Sequence, residues 1–336
     1  MVPIYKSDTY TATFTERDSE TITITFDFFD ARKTDFKPPI TRVGGCYENA
    51  HIHISSKSND WYTSNGREEL VAACQKILSK YLRVICFGFS MGAHAAVLFG
   101  TLFKANRVVA VSPRIQLDPE QEPYDTRNVE FVRQCNFAEG DLRQIADSQI
   151  ETVIVFDPFS APDAAHVKVF ESNFPAWHYL ALPFSGHNSL QPAKDAKKLR
   201  PLMRSLVLGD TSLSFIHKMY KSLRRNSVYY WYNHLLHSRC RRTVVRAAAD
   251  FMINHPDANN PMFFKLGERL IQIGDFETGL PLLRKAYYLT KKPPRNWQPR
   301  LIASEIQYIK LTDRRNKILL EKRSRSKTLR QLELRA

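Results

Sequence analysis

The first two thirds of the chain alternate between strand-like and helix-like hydrophobic patterns. Strands are predicted at Thr9–Thr15, Thr21–Phe26, His51–Ser55, Leu82–Phe87, Arg107–Val111, Thr152–Phe156 and Trp177–Leu182. Helices are predicted at Glu68–Lys80, Met91–Phe103, within Val129–Asp147, at Asp163–Asn173 and at Lys194–Val207. Strands that alternate with helices in this way predict an α/β fold, with a mainly parallel, doubly wound sheet covered by helices on both faces.

The last third of the chain shows only helical patterns. These predicted helices are Ser212–Arg225, Val228–His237, Arg241–Asn254, Met262–Ile273, Phe276–Thr290 and Trp297–Leu311. The charge changes at the same place: residues 211–336 hold 26 Lys and Arg against 9 Asp and Glu, although the whole chain has a net charge of +15. We therefore expect an α/β domain over 1–210, an all-α region over 211–312 and a basic tail over 313–336.

Small residues in the helical region follow a recognisable spacing. Gly267, Gly274, Gly279 and Ala286 fall where a tetratricopeptide-type pair of antiparallel helices needs close approach. The alternative is an ordinary helix hairpin. The spacing predicts a hairpin in either case, and a tetratricopeptide-like module if neighbouring helices stack on it.

The strongest chemical motif is Gly88-Phe89-Ser90-Met91-Gly92, a Gly-x-Ser-x-Gly pattern. It lies between the buried strand Leu82–Phe87 and the helix that begins at Met91. That strand–turn–helix context places the serine on a tight turn above the carboxyl edge of the sheet. The helix N-terminus adds free N–H groups there, and the amide of Met91 is the expected first donor to an oxyanion.

These residues resemble the α/β-hydrolase superfamily over residues 1–210. The phrases Gly88–Ala96 and Val111-Ser112-Pro113 are similar to those of bacterial hydrolase-like proteins associated with surface-glycan biosynthesis. The family motif commonly has Gly and Tyr where this chain has Ala93 and His94. The resemblance implies a serine nucleophile at Ser90, followed along the chain by an acid and then a histidine.

Two kinds of partner for Ser90 follow from that order. His187 comes just after the last predicted strand, and Gly186 gives its loop freedom, so His187 is the expected general base. The acid should follow the strand Thr152–Phe156. Asp157 at the end of that strand is preferred, and Asp163, which also suits a helix N-cap, is the alternative.

The remaining parts of the site come from two loops. The second oxyanion donor should follow the strand Thr21–Phe26, which indicates Phe28 or Phe29, although no His-Gly type motif is present there. Trp61 and Tyr62 follow the strand His51–Ser55 and are therefore expected at the same edge of the sheet. An aromatic pair at this place predicts a substrate-binding surface, with a packed loop as the alternative.

The predicted function is a serine esterase or acyltransferase that acts on an ester or activated acyl group, with a glycan as a candidate substrate. The alternative is a non-catalytic hydrolase-fold scaffold. No cofactor and no metal are expected, since the triad needs neither, and the five cysteines form no Cys-x-x-Cys pair that would indicate a zinc site. The basic clusters Lys221–Arg225, Arg239–Arg242 and Lys322–Lys327 favour a protein partner or an anionic membrane surface, and nucleic acid is not expected. Because the N-terminus shows no signal-peptide pattern, we expect a cytoplasmic protein.

Overall fold

The computed structural model of the protein describes residues 1–30, 48–237 and 241–333. The chain divides into two compact units, Met1–Tyr230 and Trp231–Ala336. The division between Tyr230 and Trp231 lies later than the boundary expected at residue 210.

The first unit is built on one eight-stranded sheet within the described residues. Its strands are β1 (Val2–Lys6), β2 (Tyr10–Thr15), β3 (Thr21–Phe26), β4 (Ala50–Ser56), β5 (Arg83–Phe89), β6 (Arg107–Val111), β7 (Glu151–Phe156) and β8 (His178–Ala181). The spatial order is β1-β2-β4-β3-β5-β6-β7-β8. Pairing is antiparallel from β1 to β2 and from β2 to β4, and parallel across the rest. This is the mainly parallel, doubly wound sheet that the sequence predicts.

Helices and short helical turns cover both faces of that sheet. They are α1 (Arg67–Leu78), α2 (Met91–Leu102), α3 (Val129–Val132), α4 (Leu142–Ile145), α5 (Ala161–Asn173), α6 (Gln191–Asp195), α7 (Leu199–Leu208) and α8 (Leu213–Leu223). Two apolar clusters result, one on each face: Cys86 and Ala110 belong to the first, and their chain neighbours Phe87 and Val109 belong to the second. Central strands covered on both faces explain why their sequences are continuous apolar runs.

The segment that follows residue 210 belongs to the first unit because α8 is amphipathic. Ile216, Tyr220 and Leu223 are buried and join the apolar cluster that includes Leu180 of β8. The Tyr220 hydroxyl also donates a hydrogen bond to the Pro183 carbonyl at 2.8 Å. The rise in positive charge after residue 210 therefore begins before the first unit ends.

The second unit is helical. Helix α9 (Val228–His237) contains the boundary, and α10 (Arg242–Met252), α11 (Asn260–Gln272), α12 (Phe276–Leu289) and α13 (Trp297–Glu333) follow. A Cβ on Gly267 would lie 2.8 Å from the carbonyl oxygen of Gly279, and a Cβ on Gly279 would lie 2.8 Å from that of Gly267. The two glycines thus let α11 and α12 pack closely as a hairpin, as expected. Kinship with tetratricopeptide repeats stays a prediction.

The basic clusters occupy different settings. In Lys221–Arg225, the Arg224 guanidinium lies 5.2 Å from the ring centroid of Tyr230, in the first unit. The neighbouring aromatics Tyr230 and Trp231 are buried, which removes them from a nucleic-acid-binding surface. Residues 239 and 240 lie outside the described residues. Helix α13 continues through Lys322–Lys327 to Glu333, in place of a separate tail. Among the described residues, no helix is both long enough and apolar enough to cross a lipid bilayer.

Candidate active site

The serine of the Gly-x-Ser-x-Gly motif lies on a strained turn. Ser90 has φ 52° and ψ −115°, between the end of β5 and the first residue of α2. Such a conformation is costly for a residue with a Cβ and persists only where the surroundings enforce it. The Ser90 amide donates to the Val111 carbonyl at 2.9 Å, which ties the turn to β6.

Two glycines make the turn possible. A Cβ on Gly88 would collide with the backbone carbonyl of Gly92, and a Cβ on Gly92 would lie 2.7 Å from the carbonyl oxygen of Asp27. Backbone atoms cannot move aside as a flexible side chain can. The glycines of the motif are therefore required by packing of the turn against itself and against the end of β3.

The predicted base meets the serine directly. Nε2 of His187 lies 2.9 Å from Oγ of Ser90. The loop that carries His187 turns at Gly186, whose φ is 67°. The backbone of this loop is held by Ser112, whose hydroxyl donates a hydrogen bond to the His187 carbonyl at 2.8 Å. The imidazole is about one third exposed, so it is accessible from the pocket.

The acid in contact with that imidazole is Asp163. Its two carboxylate oxygens each lie 3.0 Å from Nδ1 of His187, and the Ser160 hydroxyl donates to Oδ2 at 2.7 Å. Asp163 occupies the first turn of α5 and is 1% exposed. Burial alone would raise the pKa of Asp163, but hydrogen bonds from His187 and Ser160 and the positive charge of Arg127 hold that pKa below its ordinary value.

Asp157, the preferred acid in the sequence analysis, has a different position. Its Oδ1 accepts from the amides of Phe159 at 2.9 Å and Phe184 at 3.0 Å, and its Oδ2 accepts from the amide of Gly186 at 2.6 Å. Asp157 thus ties the end of β7 to the loop that carries His187. The sequence analysis preferred Asp157 as the acid that contacts the imidazole, but the carboxylate in contact with it is that of the alternative, Asp163.

The loop after β3 approaches the serine as expected. Both Phe28 and Phe29 line the pocket next to Ser90. The Asp27 amide donates to the Tyr62 hydroxyl at 2.8 Å, and the Asp30 amide donates to Oδ1 of Asn59 at 3.1 Å. Within the described residues the Phe29 amide has no acceptor. The Met91 amide is likewise outside the helical hydrogen-bond ladder, because Met91 is the first residue of α2.

A pocket of about 500 Å³ opens above Ser90 and His187. Phe28 and Trp61 line part of it, and the Trp61 ring packs against Phe29 at a centroid distance of 5.7 Å. Of the predicted aromatic pair, only Trp61 lines the pocket. Tyr62 is fully buried, and its hydroxyl donates to the Ile54 carbonyl at 3.1 Å, so the prediction that Tyr62 contacts substrate is wrong.

Sequence reasoning did not find the charged network beside His187. Arg127 uses Nε and Nη2 to bind the two oxygens of Asp125, at 2.8 and 2.7 Å. Its Nη1 lies 2.9 Å from Oδ1 of Asp163 and 2.8 Å from Nδ1 of His187. Asp125 also contacts Arg114 at 3.3 Å and Nε2 of His166 at 3.0 Å.

Electrostatics hold this network in its charged form. Burial alone would raise the pKa of Asp125, but hydrogen bonds from Arg127 and His166 and the charges of both arginines hold it far below its usual range. Burial alone would lower the pKa of Arg127, but its carboxylate partners Asp125 and Asp163 raise that pKa above its ordinary value. The sequence signal for this network was that Asp125-Thr126-Arg127 lies in the segment after the buried strand β6, at the carboxyl edge of the sheet, where open α/β sheets bind ligands.

Comparisons with known proteins give low similarity. No family model matches the chain, and no curated protein matches it. Among solved structures, the capsule O-acetyltransferase of Neisseria meningitidis serogroup A is 11% identical, with 65% of this chain and 93% of that one covered and a TM-score of 0.42.

Two further structures resemble the chain to a similar degree. An esterase of Pyrococcus furiosus is 14% identical, with 66% and 91% covered and a TM-score of 0.40. The glycosylation-associated protein complex of Streptococcus agalactiae is 13% identical, with 60% and 44% covered and a TM-score of 0.43. At these values the likenesses carry no argument about activity, which has to rest on the site itself.

Proposed function

We propose that the protein is a serine esterase or acyltransferase in which Ser90 is the nucleophile, His187 the general base and Asp163 the orienting acid. The observation that carries this proposal is the continuous contact from Ser90 Oγ to His187 Nε2 at 2.9 Å and from His187 Nδ1 to Asp163 at 3.0 Å. A serine hydroxyl is a weak nucleophile at neutral pH, and an adjacent base held by a carboxylate is the arrangement that activates it.

The reaction then proceeds in two halves. Ser90 Oγ attacks the acyl carbonyl carbon as His187 takes the hydroxyl proton, and the carbonyl oxygen becomes an oxyanion. The amides of Met91 and Phe29 are our candidate donors to that oxyanion. Collapse releases the alcohol or thiol, protonated by His187, and leaves an acyl-serine. A second hydroxyl, from water or from an acceptor alcohol, gives its proton to His187 and attacks the acyl-serine carbonyl. The bond between the acyl carbon and Ser90 Oγ then breaks, and His187 returns the proton to Oγ.

The pocket favours an acyl or alcohol group with apolar surface. The rings of Phe28 and Trp61 and the side chains of Leu190 and Leu199 line it close to Ser90. A glycan hydroxyl as the acceptor, which the sequence resemblance implies, stays a prediction. This prediction is tested by adding sugars to the reaction and measuring by mass spectrometry whether the acyl group is transferred to a sugar or to water.

Covalent labelling tests the nucleophile. Wild-type protein, Ser90→Ala and a matched control, Ser172→Ala, are treated with a fluorophosphonate probe and analysed by intact mass and peptide mapping. Ser172 lies exposed on α5, where its hydroxyl only donates to the Lys168 carbonyl. We expect a single adduct on Ser90 in the wild type and in Ser172→Ala, and no adduct in Ser90→Ala.

Hydrolysis of para-nitrophenyl esters by the same three proteins provides the catalytic readout. We expect turnover to disappear only in Ser90→Ala, since the pocket and the base remain intact in that variant. Folded wild-type protein that neither labels nor hydrolyses any ester overturns the proposal. That outcome favours the alternative, a non-catalytic scaffold.

A further inference from the structure

We infer that the substrate carries an anionic group, a carboxylate or a phosphate, and that Arg127 binds it and determines specificity. This inference rests on the proposed function, because it concerns the substrate of the same serine site.

The charges around the pocket are the first observation. Its described lining contains the cationic side chains of Arg114, Arg127 and Lys194 and no Asp or Glu. Asp125 and Asp163 balance the two arginines from behind the pocket wall. Lys194 is exposed and has no carboxylate within ion-pair distance in the described part of the chain. The pocket therefore presents net positive charge to whatever enters it.

The second observation is a conflict at Nδ1 of His187. The Asp163 oxygens are acceptors and require Nδ1 to carry a hydrogen, whereas Nη1 of Arg127, 2.8 Å away, is a donor and requires a lone pair. A single ring nitrogen satisfies only one of these partners. With hydrogen on Nδ1, Nε2 offers its lone pair to the Ser90 hydroxyl. With hydrogen on Nε2, His187 cannot take the serine proton.

An anionic substrate would resolve this conflict. The Arg127 side chain is 29% exposed and lines the pocket, so an anion can reach its guanidinium. Nε and Nη2 each donate a hydrogen bond to Asp125, whereas Nη1 lies within ion-pair distance of Asp163 and within hydrogen-bond distance of His187 Nδ1. An anion that draws the Nη1 hydrogen away from Nδ1 leaves Asp163 as the partner of His187. The bidentate contact with Asp125 holds the guanidinium in place meanwhile.

The chain offers a matched control for Arg127. Arg143 binds Asp141 through Nε at 2.8 Å and Nη2 at 2.7 Å, the same pattern at the same spacing, and is 30% exposed. Arg143 does not line the pocket. Arg143→Gln therefore removes an equivalent ion pair and leaves the serine site alone.

The test compares neutral and anionic esters. Para-nitrophenyl butyrate against mono-para-nitrophenyl glutarate places the carboxylate on the acyl side. Phenyl acetate against para-acetoxybenzoate places it on the alcohol side. For one of these pairs we expect the wild type to prefer the anionic ester by about tenfold or more in kcat/KM, as for a charge-assisted hydrogen bond. The pair that shows the preference identifies the side that carries the anion.

Three variants then assign the preference. In Arg127→Gln we expect loss of the preference and a higher kcat on the neutral ester, since the competing donor at Nδ1 is gone. Arg127→Lys should keep part of the preference, and Arg143→Gln all of it. If Arg127→Gln does not fold, Arg127→Lys carries the comparison. A preference that survives in Arg127→Gln or Arg127→Lys at the wild-type level, or an equal loss on both esters, overturns the inference.

Nitrogen NMR of isotope-labelled histidine gives a readout that a purely structural role would not move. Added glutarate should increase the share of His187 with hydrogen on Nδ1 in the wild type and have no effect in Arg127→Gln. An unchanged tautomer ratio in the wild type contradicts the inference. Failure of the proposed function looks different: no ester is hydrolysed and Ser90 is not labelled.

Discussion

The clearest distinction that the structure makes is between Asp163 and Asp157, and paired asparagine variants test it. Asp163 contacts the imidazole of His187, whereas Asp157 accepts hydrogen bonds from the backbone amides of Phe159, Phe184 and Gly186. Asparagine has nearly the same size as aspartate and lacks its negative charge. Asp163→Asn should therefore affect catalysis first, and Asp157→Asn should affect stability first.

For Asp163→Asn the expected loss is in kcat. The amide cannot stabilise the imidazolium that forms when His187 takes the serine proton, and its NH₂ group can hold the ring in the unproductive tautomer. The same substitution in a serine protease triad costs about 10⁴-fold in kcat, or about 5 kcal/mol of transition-state stabilisation. Since Asp163 is buried and contacts both Nδ1 and Arg127, we expect a loss of about this size here.

For Asp157→Asn the expected loss is in the free energy of unfolding. The carboxylate accepts three amides on two oxygens, and an asparagine keeps only one oxygen. At least one charge-assisted bond, worth about 1.5–3 kcal/mol, is replaced by two facing donors, which adds about 1–3 kcal/mol. We expect destabilisation of roughly 3–5 kcal/mol. Because Gly186 precedes His187, kcat of the folded fraction should fall by only about tenfold, on the order of 1.4 kcal/mol.

Both quantities are measured on the same preparations. Urea unfolding at neutral pH gives the free energy of unfolding, and steady-state hydrolysis of a para-nitrophenyl ester gives kcat. Fluorophosphonate labelling rates, corrected for the folded fraction, give the reactivity of Ser90 independently of substrate binding. An Asp163→Asn protein that keeps most of its kcat would refute the reasoning. A stable Asp157→Asn protein as inactive as Asp163→Asn would refute it equally, because it would restore Asp157 as the acid.

Three further predictions concern packing and pH. Gly92→Ala should cost about 1–3 kcal/mol in urea unfolding and slow labelling of the serine, because its Cβ would press on the Asp27 carbonyl; unchanged values would contradict this. Burial lowers the pKa of His94 to about 4, below the unfolded value of about 6.5. The contribution of His94 to the free energy of unfolding is therefore fully present above pH 6.5 and is lost as pH falls towards 4. At pH 5 His94 contributes a loss of about 2 kcal/mol relative to pH 8, and His94→Asn should lose less stability by that amount; a loss remains from His51, whose pKa burial lowers to about 3. Gly267→Ala should lower the melting temperature of the helical unit, whereas Gly274→Asn, with φ 88° and open space around it, should leave it nearly unchanged.

The regular elements were predictable where the hydrophobic pattern is strong. The central strands β5, β6 and β7 appear in the sequence as short apolar runs, since both of their faces are covered. The edge strand β1 was not predicted. It is short, contains Pro3 and is mostly exposed, so it lacks the alternation that marks a half-buried strand. The predicted helix Lys194–Val207 is split into α6 and α7, and Lys197 in the break has φ 56°.

The site was predictable to the extent that it depends on order along the chain. Ser90 and His187 follow particular strands, and the ends of parallel strands meet at one edge of a sheet. The choice of acid depends instead on where α5 begins relative to β7. Asp157 directly follows the last residue of β7, and Asp163 lies in the first turn of α5. Only the path of the backbone between them decides which carboxylate reaches Nδ1. No local pattern in the sequence contains that path.

The two aspartates hold different parts of His187, and the site needs both. His187 lies on a loop, and a loop residue holds a fixed position only if its backbone and its ring are both constrained. Asp157 constrains the backbone through the amides of Phe184 and Gly186, and Asp163 constrains the ring through Nδ1. The two carboxylates are buried on adjoining elements and have separate sets of donors. Each can thus be altered without directly removing the hydrogen bonds of the other, so their effects on kcat and on stability should be separable.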